Sequence, residues 1–114
     1  MNQLVITPDD TLSITNSGGA ADVTVHYADR RSDGTVLPGV QLTKIAAAAT
    51  TPVLSAPAAG SARMVREVTV HTTVGSFAGS LSMVRGATTY KLALLDLDAA
   101  NDAWNMAQGK VAAT

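Results

Sequence analysis

Apolar and polar side chains alternate along most of this chain, and sustained helical periodicity is hard to find. The clearest stretch covers residues 21–29, where Val23, Val25 and Tyr27 are separated by polar or small residues. Because successive side chains of a β-strand point to opposite faces, this pattern is typical of a strand with one buried face. It predicts antiparallel β-structure.

The same alternation recurs in other segments, and Gly, Pro, Asn and Asp separate them. It predicts strands at residues 3–7, 11–15, 21–29, 40–45, 63–73, 77–83, 88–97 and 110–114. The turn signals predict turns or loops at 8–10, 16–19, 30–39, 75–76 and 85–86. Residues 46–55 are expected to be extended or irregular, and 56–62 to form a linker loop. For residues 98–108 two alternatives stay open, one or two helical turns or a loop around Trp104.

About eight short strands, with turn signals roughly every 8–12 residues, are the signature of a β-sandwich or barrel. We predict an all-β fold with one domain over residues 1–114 and its main loops near 30–39 and 46–62. Within that class a two-sheet antiparallel sandwich of the jelly-roll or immunoglobulin-like kind is favoured, since closing a barrel requires more regular strand lengths.

One short pattern occurs twice. Residues 23–26 read Val-Thr-Val-His, and residues 68–71 repeat the same four amino acids. Two equivalent strands in two half-sandwiches explain the repeat, and so does a chance match among residues that favour strands.

The composition favours a surface that other proteins cover. Charged residues make up 15% of the 114 residues, the net charge is −1 and aromatic residues are 4%. A surface with so little charge is prone to association, and a core with so few large side chains gains stability from subunit contacts. There is no basic patch to neutralise several phosphates, so no nucleic-acid partner is expected.

The chain contains no cysteine, which excludes disulfides and thiol chemistry. Its first residues lack the charged and apolar regions of a signal peptide. No apolar stretch reaches the roughly 18 residues of a membrane-spanning helix. We therefore expect a soluble protein without a membrane partner.

Candidate chemical sites are sparse. The two histidines, His26 and His71, lie among threonines and are interpreted as solvent-facing, because no third ligand is spaced to form a metal site with them. Asp96, Asp98 and Asp102 lie near a predicted loop but lack the calcium-loop pattern, and are interpreted as solvated carboxylates. Ion binding by either group stays open. No serine lies in a Gly-x-Ser-x-Gly elbow, so neither catalytic residues nor a cofactor are predicted, and the chain is not expected to be an enzyme.

Two stretches carry a resemblance to a known group. Residues 21–29 read Ala-Asp-Val-Thr-Val-His-Tyr-Ala-Asp, and residues 56–65 form an Ala-Pro-Ala-rich link that runs into an Arg-led strand. With the later Thr-Tyr-Lys-Leu at 89–92, they resemble small β-sandwich proteins of tailed bacteriophages over about residues 20–97. The segment 101–108 departs from that group, where a Gly-rich turn is expected. The resemblance implies a component of the virion, assembled in the host cytoplasm.

The expected function is thus a non-enzymatic virion structural protein, and we favour a capsid decoration or cement protein that stabilises the head through many weak contacts. Its expected partners are copies of itself, with a trimer as one option, and either the major capsid protein or neck and tail proteins. A neck or tail component, such as an adaptor or fibre-attachment protein, is the alternative. A carbohydrate-binding host-attachment module is a further one. The expected interface anchors are aromatic, namely Tyr27, Phe77, Tyr90 and Trp104.

Overall fold

The computed structural model describes residues 4–111. These residues form strands, turns and loops and contain no helix, which confirms the all-β prediction. The eight strands of this part of the chain are β1 (Leu4–Ile6), β2 (Asp10–Arg30), β3 (Val36–Ile45), β4 (Ala49–Leu54), β5 (Ala62–Arg85), β6 (Thr88–Leu97), β7 (Ala103–Asn105) and β8 (Gly109–Val111).

All of these strands belong to one antiparallel sheet, with β2 and β5 side by side at its centre. One half of β2 pairs with β3, and the other half pairs with β4. On the far side of β5, β6 pairs with the C-terminal half, while β1 and β7 pair with the N-terminal half, and β8 extends from β7. The predicted sandwich of two separate sheets is not confirmed, because the sheet is continuous and curled into a half-barrel.

The curl follows from the lengths of the two central strands. A straight strand of 24 residues, the length of β5, is about 80 Å long, whereas the whole molecule measures 45 × 30 × 21 Å. Ile6 pairs with Arg63 at one end of β5, and only four positions later Asp10 pairs with Arg85 at the other end. Four residues of extended chain span at most about 14 Å, so the two ends of β5 are brought close together.

The bends lie where β2 and β5 carry their glycines. The pairing of the two strands shifts register three times between Asn16 and Ala21, opposite residues 72–79 of β5. Gly19 has φ of +90°, and a Cβ at this position would lie 2.3 Å from the carbonyl oxygen of Ser76. The turns predicted at 16–19 and 75–76 are therefore wrong as chain reversals. They are bulged bends inside two long strands.

The core lies on the inner, concave face of the curled sheet. Val23 and Val25 point into it, as the alternation predicted. The buried apolar side chains form one cluster, which consists of Ile6, Leu12, Ile14, Ala21, Val23, Val25, Ile45, Val53, Leu54, Val65, Val68, Val70, Phe77, Leu81, Leu95, Leu97, Trp104 and Met106.

A second kind of irregularity keeps this core face continuous along β5. The register with β2 passes from Val65 to Glu67 and skips Arg66, which is exposed. The extra residue forms a bulge, so Val65 and Val68 both face the core although they are three positions apart.

Three loop segments are more ordered than predicted. β3 begins at Val36, so the predicted loop over 30–39 is limited to residues 31–35. Residues 46–55 contain β4, and residues 98–108 contain β7 and no helical turn. Of the edge strand predicted at 110–114, residues 110 and 111 belong to β8, and residues 112–114 lie outside the described residues, as do residues 1–3.

Candidate assembly surface on the outer face of the sheet

The two copies of the repeated sequence pattern are direct neighbours in the sheet. Residues 22–26 of β2 read Asp-Val-Thr-Val-His, residues 67–71 of β5 read Glu-Val-Thr-Val-His, and the two segments pair antiparallel. Thr24 pairs with Thr69, and each acidic residue pairs with the histidine of the other strand. The repeat is thus a local two-fold pattern about the threonine pair, and not two strands in separate halves.

The outer face of the sheet carries the residues that alternate with the core positions. β3 adds a row beside those of β2, in which Leu42 pairs with Thr24 and Lys44 with Asp22. Leu42 is 72% exposed and Val40 is 49% exposed. The Lys44 ammonium lies 2.7 Å from the Asp22 carboxylate, so the charge in this row is locally balanced. The result is a largely apolar border along β3.

β3 is also an edge of the sheet. Within residues 4–111 its one sheet neighbour is β2, which leaves the backbone of its other side open. Pro38 has no backbone N–H, whereas the residues from Gly39 to Ile45 each have one, and alternate residues of an edge strand direct it to the free side. A depression of about 410 Å³ lies beside Leu42 and is lined by Asp22, Val23, Thr24, Leu42, Thr43 and Lys44. We call Val40, Leu42 and this depression the β3 edge patch.

β6 forms an edge on the opposite side of β5. Leu94 is 71% exposed and Tyr90 is 48% exposed on this strand. Alternation in the sequence of residues 88–97 predicts that Tyr90, Leu92 and Leu94 share one face. The register between β5 and β6 shifts at Leu81 and Ser82 and skips Leu92, so these three positions do not keep one regular alternation. A depression of about 450 Å³ lies beside Leu94. The molecule thus presents an exposed leucine on each of two edges.

The four predicted aromatic anchors lie in different surroundings. Phe77 and Trp104 are 1% and 8% exposed and belong to the core of the chain. Tyr27 is half-buried against this core, and the guanidinium of Arg63 lies 4.2 Å above the centre of its ring. Tyr90 is the most exposed of the four. The structure does not bring them together into one surface.

The predicted interface anchors were all aromatic and did not include the exposed leucines Leu42 and Leu94. Alternation in the sequence of residues 40–45 predicts that Val40, Leu42 and Lys44 share one face. The sequence did not predict Leu42 as an anchor, because aromatic side chains are the ones enriched among the residues that dominate interface energetics.

The histidines and aspartates form no common site. His26 lies opposite Glu67, and His71 lies opposite Asp22, at the two ends of the paired pattern. Among the described residues no three His, Asp or Glu side chains are placed to hold a metal ion.

The interpretation of Asp102 as a solvated carboxylate is wrong, because this residue is 4% exposed. Its carboxylate accepts hydrogen bonds from the backbone N–H groups of Asp98 and Ala99, both at 3.2 Å, and so closes the loop before β7.

The groups with shifted pKa values belong to ion pairs and to one turn. Arg85 donates to both oxygens of the buried Asp10 carboxylate, at 2.6 and 3.0 Å, and holds its pKa well below the usual range. The backbone N–H and hydroxyl of Thr7 donate to the same carboxylate. Hydrogen bonds from Thr35 lower the pKa of Asp33 in the loop before β3.

The chain matches no protein-family model, no curated protein and no solved structure. No helix in residues 4–111 is long and apolar enough to cross a membrane. Leu42 and Leu94, each on a sheet edge beside a depression, are the candidate contact points for other protein chains.

Proposed function

We propose that this chain is a non-enzymatic structural protein of a bacteriophage virion, where it acts as a capsid decoration or cement protein. In this role it binds copies of itself and the major capsid protein, and it stabilises the head through many protein contacts. The observation that carries the proposal is the pair of open sheet edges, β3 and β6, each with a leucine more than two-thirds exposed.

A row of unpaired N–H and C=O groups at a sheet edge is a template for pairing with another chain, and proteins limit such pairing with charges, prolines or short strands. β3 carries Pro38 and Lys44, and β6 carries Lys91 and Asp96. β3 and β6 are each ten residues long, and each presents apolar side chains to solvent. This supports a surface that other protein chains cover in the working assembly.

Two edges on one molecule also give it more than one point of attachment. Weak contacts that act together become effectively permanent, because each later contact forms at a high local concentration. A cement role needs this property, since the protein has to remain on the shell without a covalent link.

The virion setting is supported by the resemblance of residues 21–29 and 56–65 to small phage β-sandwich proteins. We also propose that the fold works as a two-layer antiparallel sandwich, as in those phage proteins. In this proposal the bends in β2 and β5 divide both strands into halves, and the two halves serve as the two layers of the sandwich over the one core.

The test compares virions with particles that lack this protein. We expect many copies per virion by quantitative mass spectrometry, and a loss of heat and osmotic resistance in the particles without it. A few copies at a single vertex would instead indicate a neck or tail component. Absence from the virion, or turnover of a substrate by the purified protein, would contradict the proposal.

The carbohydrate-binding alternative depends on exposed aromatic rings that stack on sugars. Of the four aromatic side chains, Tyr90 is the most exposed, at 48%. A glycan array probed with the wild-type protein and with Tyr90→Ala addresses it. We expect no binding by either, whereas binding that is lost in Tyr90→Ala would favour the attachment module.

A further inference from the structure

We propose that two copies of this chain associate through their β3 edges, which pair antiparallel about a two-fold axis at Leu42. The inference rests on the assembly role proposed above and specifies its first step, the partner and the surface. It predicts a sheet that continues from one molecule into the next.

The first reason is that β3 can accept a strand where its backbone is free. Each residue from Gly39 to Ile45 has an N–H group, alternate residues direct theirs away from β2, and β3 has no described sheet neighbour on that side. Pro38 limits the pairing at the other end of the strand. A pairing centred on Leu42 matches residues 39–45 of one copy with residues 45–39 of the other, so Pro38 falls outside it.

The second reason is that the β3 edge patch of one copy can pack against the same patch of a second copy. Leu42 projects from the surface, with 72% of its side chain exposed, and the depression of about 410 Å³ begins beside it on the same face. In the proposed register the two-fold axis places the two leucines side by side, with the depression of each copy next to them. A contact of this kind, in which the same patch serves both subunits, is the usual interface of a dimer.

The third reason concerns charge. Lys44 is the one charged residue of β3, and Asp22 of its own chain holds it at 2.7 Å. With the axis at Leu42, Lys44 lies opposite Val40 of the partner subunit, where its methylene groups cover an apolar side chain. Like charges do not meet across this contact, so pairing with a second copy meets no repulsion there.

The β6 edge provides the matched comparison. Leu94 is 71% exposed, so it equals Leu42 in exposure, and it also lies on an edge strand. Its strand carries Lys91 and Asp96, which are both exposed, whereas β3 carries one charge that is already paired. We assign self-association to β3 and leave β6 for the other partner in the particle.

The test uses the absence of cysteine from the chain, because any single cysteine introduced is then the sole thiol. Residues that face each other across an antiparallel pair have Cα atoms about 4.5–5.5 Å apart, within reach of a disulfide. We expect Leu42→Cys to form a covalent dimer under mild oxidation. Val40→Cys and Leu94→Cys should not, because the two Val40 positions lie about 13 Å apart in the proposed register.

A second measurement does not depend on oxidation. Light scattering of the purified wild-type protein should give the mass of a dimer, and Leu42→Lys should raise its dissociation constant by about tenfold or more. Leu94→Lys should leave it unchanged, and circular dichroism of each variant confirms the fold.

The outcomes separate this inference from the proposed function. If Leu42→Cys does not cross-link, or if Val40→Cys cross-links instead, the pairing is wrong even when the wild-type protein still binds particles. If Leu42→Cys cross-links and the protein is absent from virions, the self-association stands and the cement role does not.

Discussion

Arg63 holds Asp29 in a two-point ion pair, with Nε 2.7 Å from Oδ1 and Nη2 2.9 Å from Oδ2. The remaining guanidinium nitrogen donates to the carbonyl oxygen of Ser55 at 2.8 Å, and the ring of Tyr27 covers the face of the group. The pair therefore links the start of β5 to the end of β2 and to the start of the loop that joins β4 to β5. Asp29 raises the pKa of Arg63, which stays charged.

Replacement of Arg63 by alanine should destabilise the fold. It leaves the Asp29 carboxylate without its partner and uncovers Tyr27, and loss of one member of a largely buried ion pair costs about 3 kcal/mol. Urea unfolding followed by circular dichroism measures this change. Arg66→Ala, at the exposed bulge three residues later, should alter the free energy of unfolding by less than about 0.5 kcal/mol. Equal effects of the two substitutions would contradict the structural role of Arg63.

The ion pair of Asp10 and Arg85 predicts a specific dependence on pH. The pKa of Asp10 is lower in the folded chain than in the unfolded chain. Its contribution is therefore complete above the ordinary carboxyl pKa of about 4 and is lost as the pH falls below that value. Asp10→Asn should be less stable than the wild type at pH 7, and the difference should shrink as the solution is acidified.

Thermal melts between about pH 7 and 2 provide this measurement, over the range in which carboxyl groups titrate. Asp9→Asn is the control, because Asp9 is the exposed neighbour of Asp10. A constant difference between the wild type and Asp10→Asn at all pH values would show that the charge of Asp10 does not carry the effect.

The two neighbouring glycines of the β2 bend should respond differently to alanine. Gly19→Ala forces a side chain into a left-handed conformation and toward the carbonyl oxygen of Ser76, and should cost about 2 kcal/mol. A Cβ added at Gly18 would have no atom within 4 Å, so Gly18→Ala should change stability by less than about 0.5 kcal/mol. Chemical denaturation of both variants tests the bend, and a neutral Gly19→Ala would refute it.

The aromatic residues should divide into core and surface positions. Phe77→Ala leaves a cavity in the core and should cost about 4 kcal/mol of unfolding free energy. Tyr90→Ala should change stability by less than about 0.5 kcal/mol. If β6 contacts a particle subunit, the same Tyr90→Ala should weaken sedimentation of the protein with particles that lack it. Retention equal to the wild type would remove Tyr90 from that contact.

The sequence was sufficient for the fold class and for part of the core. Val23 and Val25 alternate with polar residues because β2 has one buried face, and their burial follows from that pattern alone. Gly18 and Gly19 signal a position where the backbone departs from regular structure. Whether the chain reverses there or bends within a strand depends on residues 74–79, which lie more than fifty positions away. Local sequence does not contain that information.

The sequence predicts which residues of the candidate surface share a face of β3, but not whether that face points to the core or to solvent. Val40, Leu42 and Lys44 fall on one face of β3, as their spacing required. That this face is the outer one is decided by the pairing of Ala21 with Ile45, which brings Ile45 into the core. The aromatic residues did not indicate where the surface lies, since the sequence pattern around Trp104 is the same for a core position and for an interface position.

The matched segments of β2 and β5 have a consequence for folding at high concentration. Each reads acidic-Val-Thr-Val-His, and the antiparallel register joins acid to histidine and valine to valine. Such a segment is complementary to itself, so in unfolded chains β2 of one molecule offers β2 of another the same set of cross-strand neighbours that β5 provides. Refolding should therefore lose yield as concentration rises, through intermolecular mispairing of identical strands that competes with the native partner.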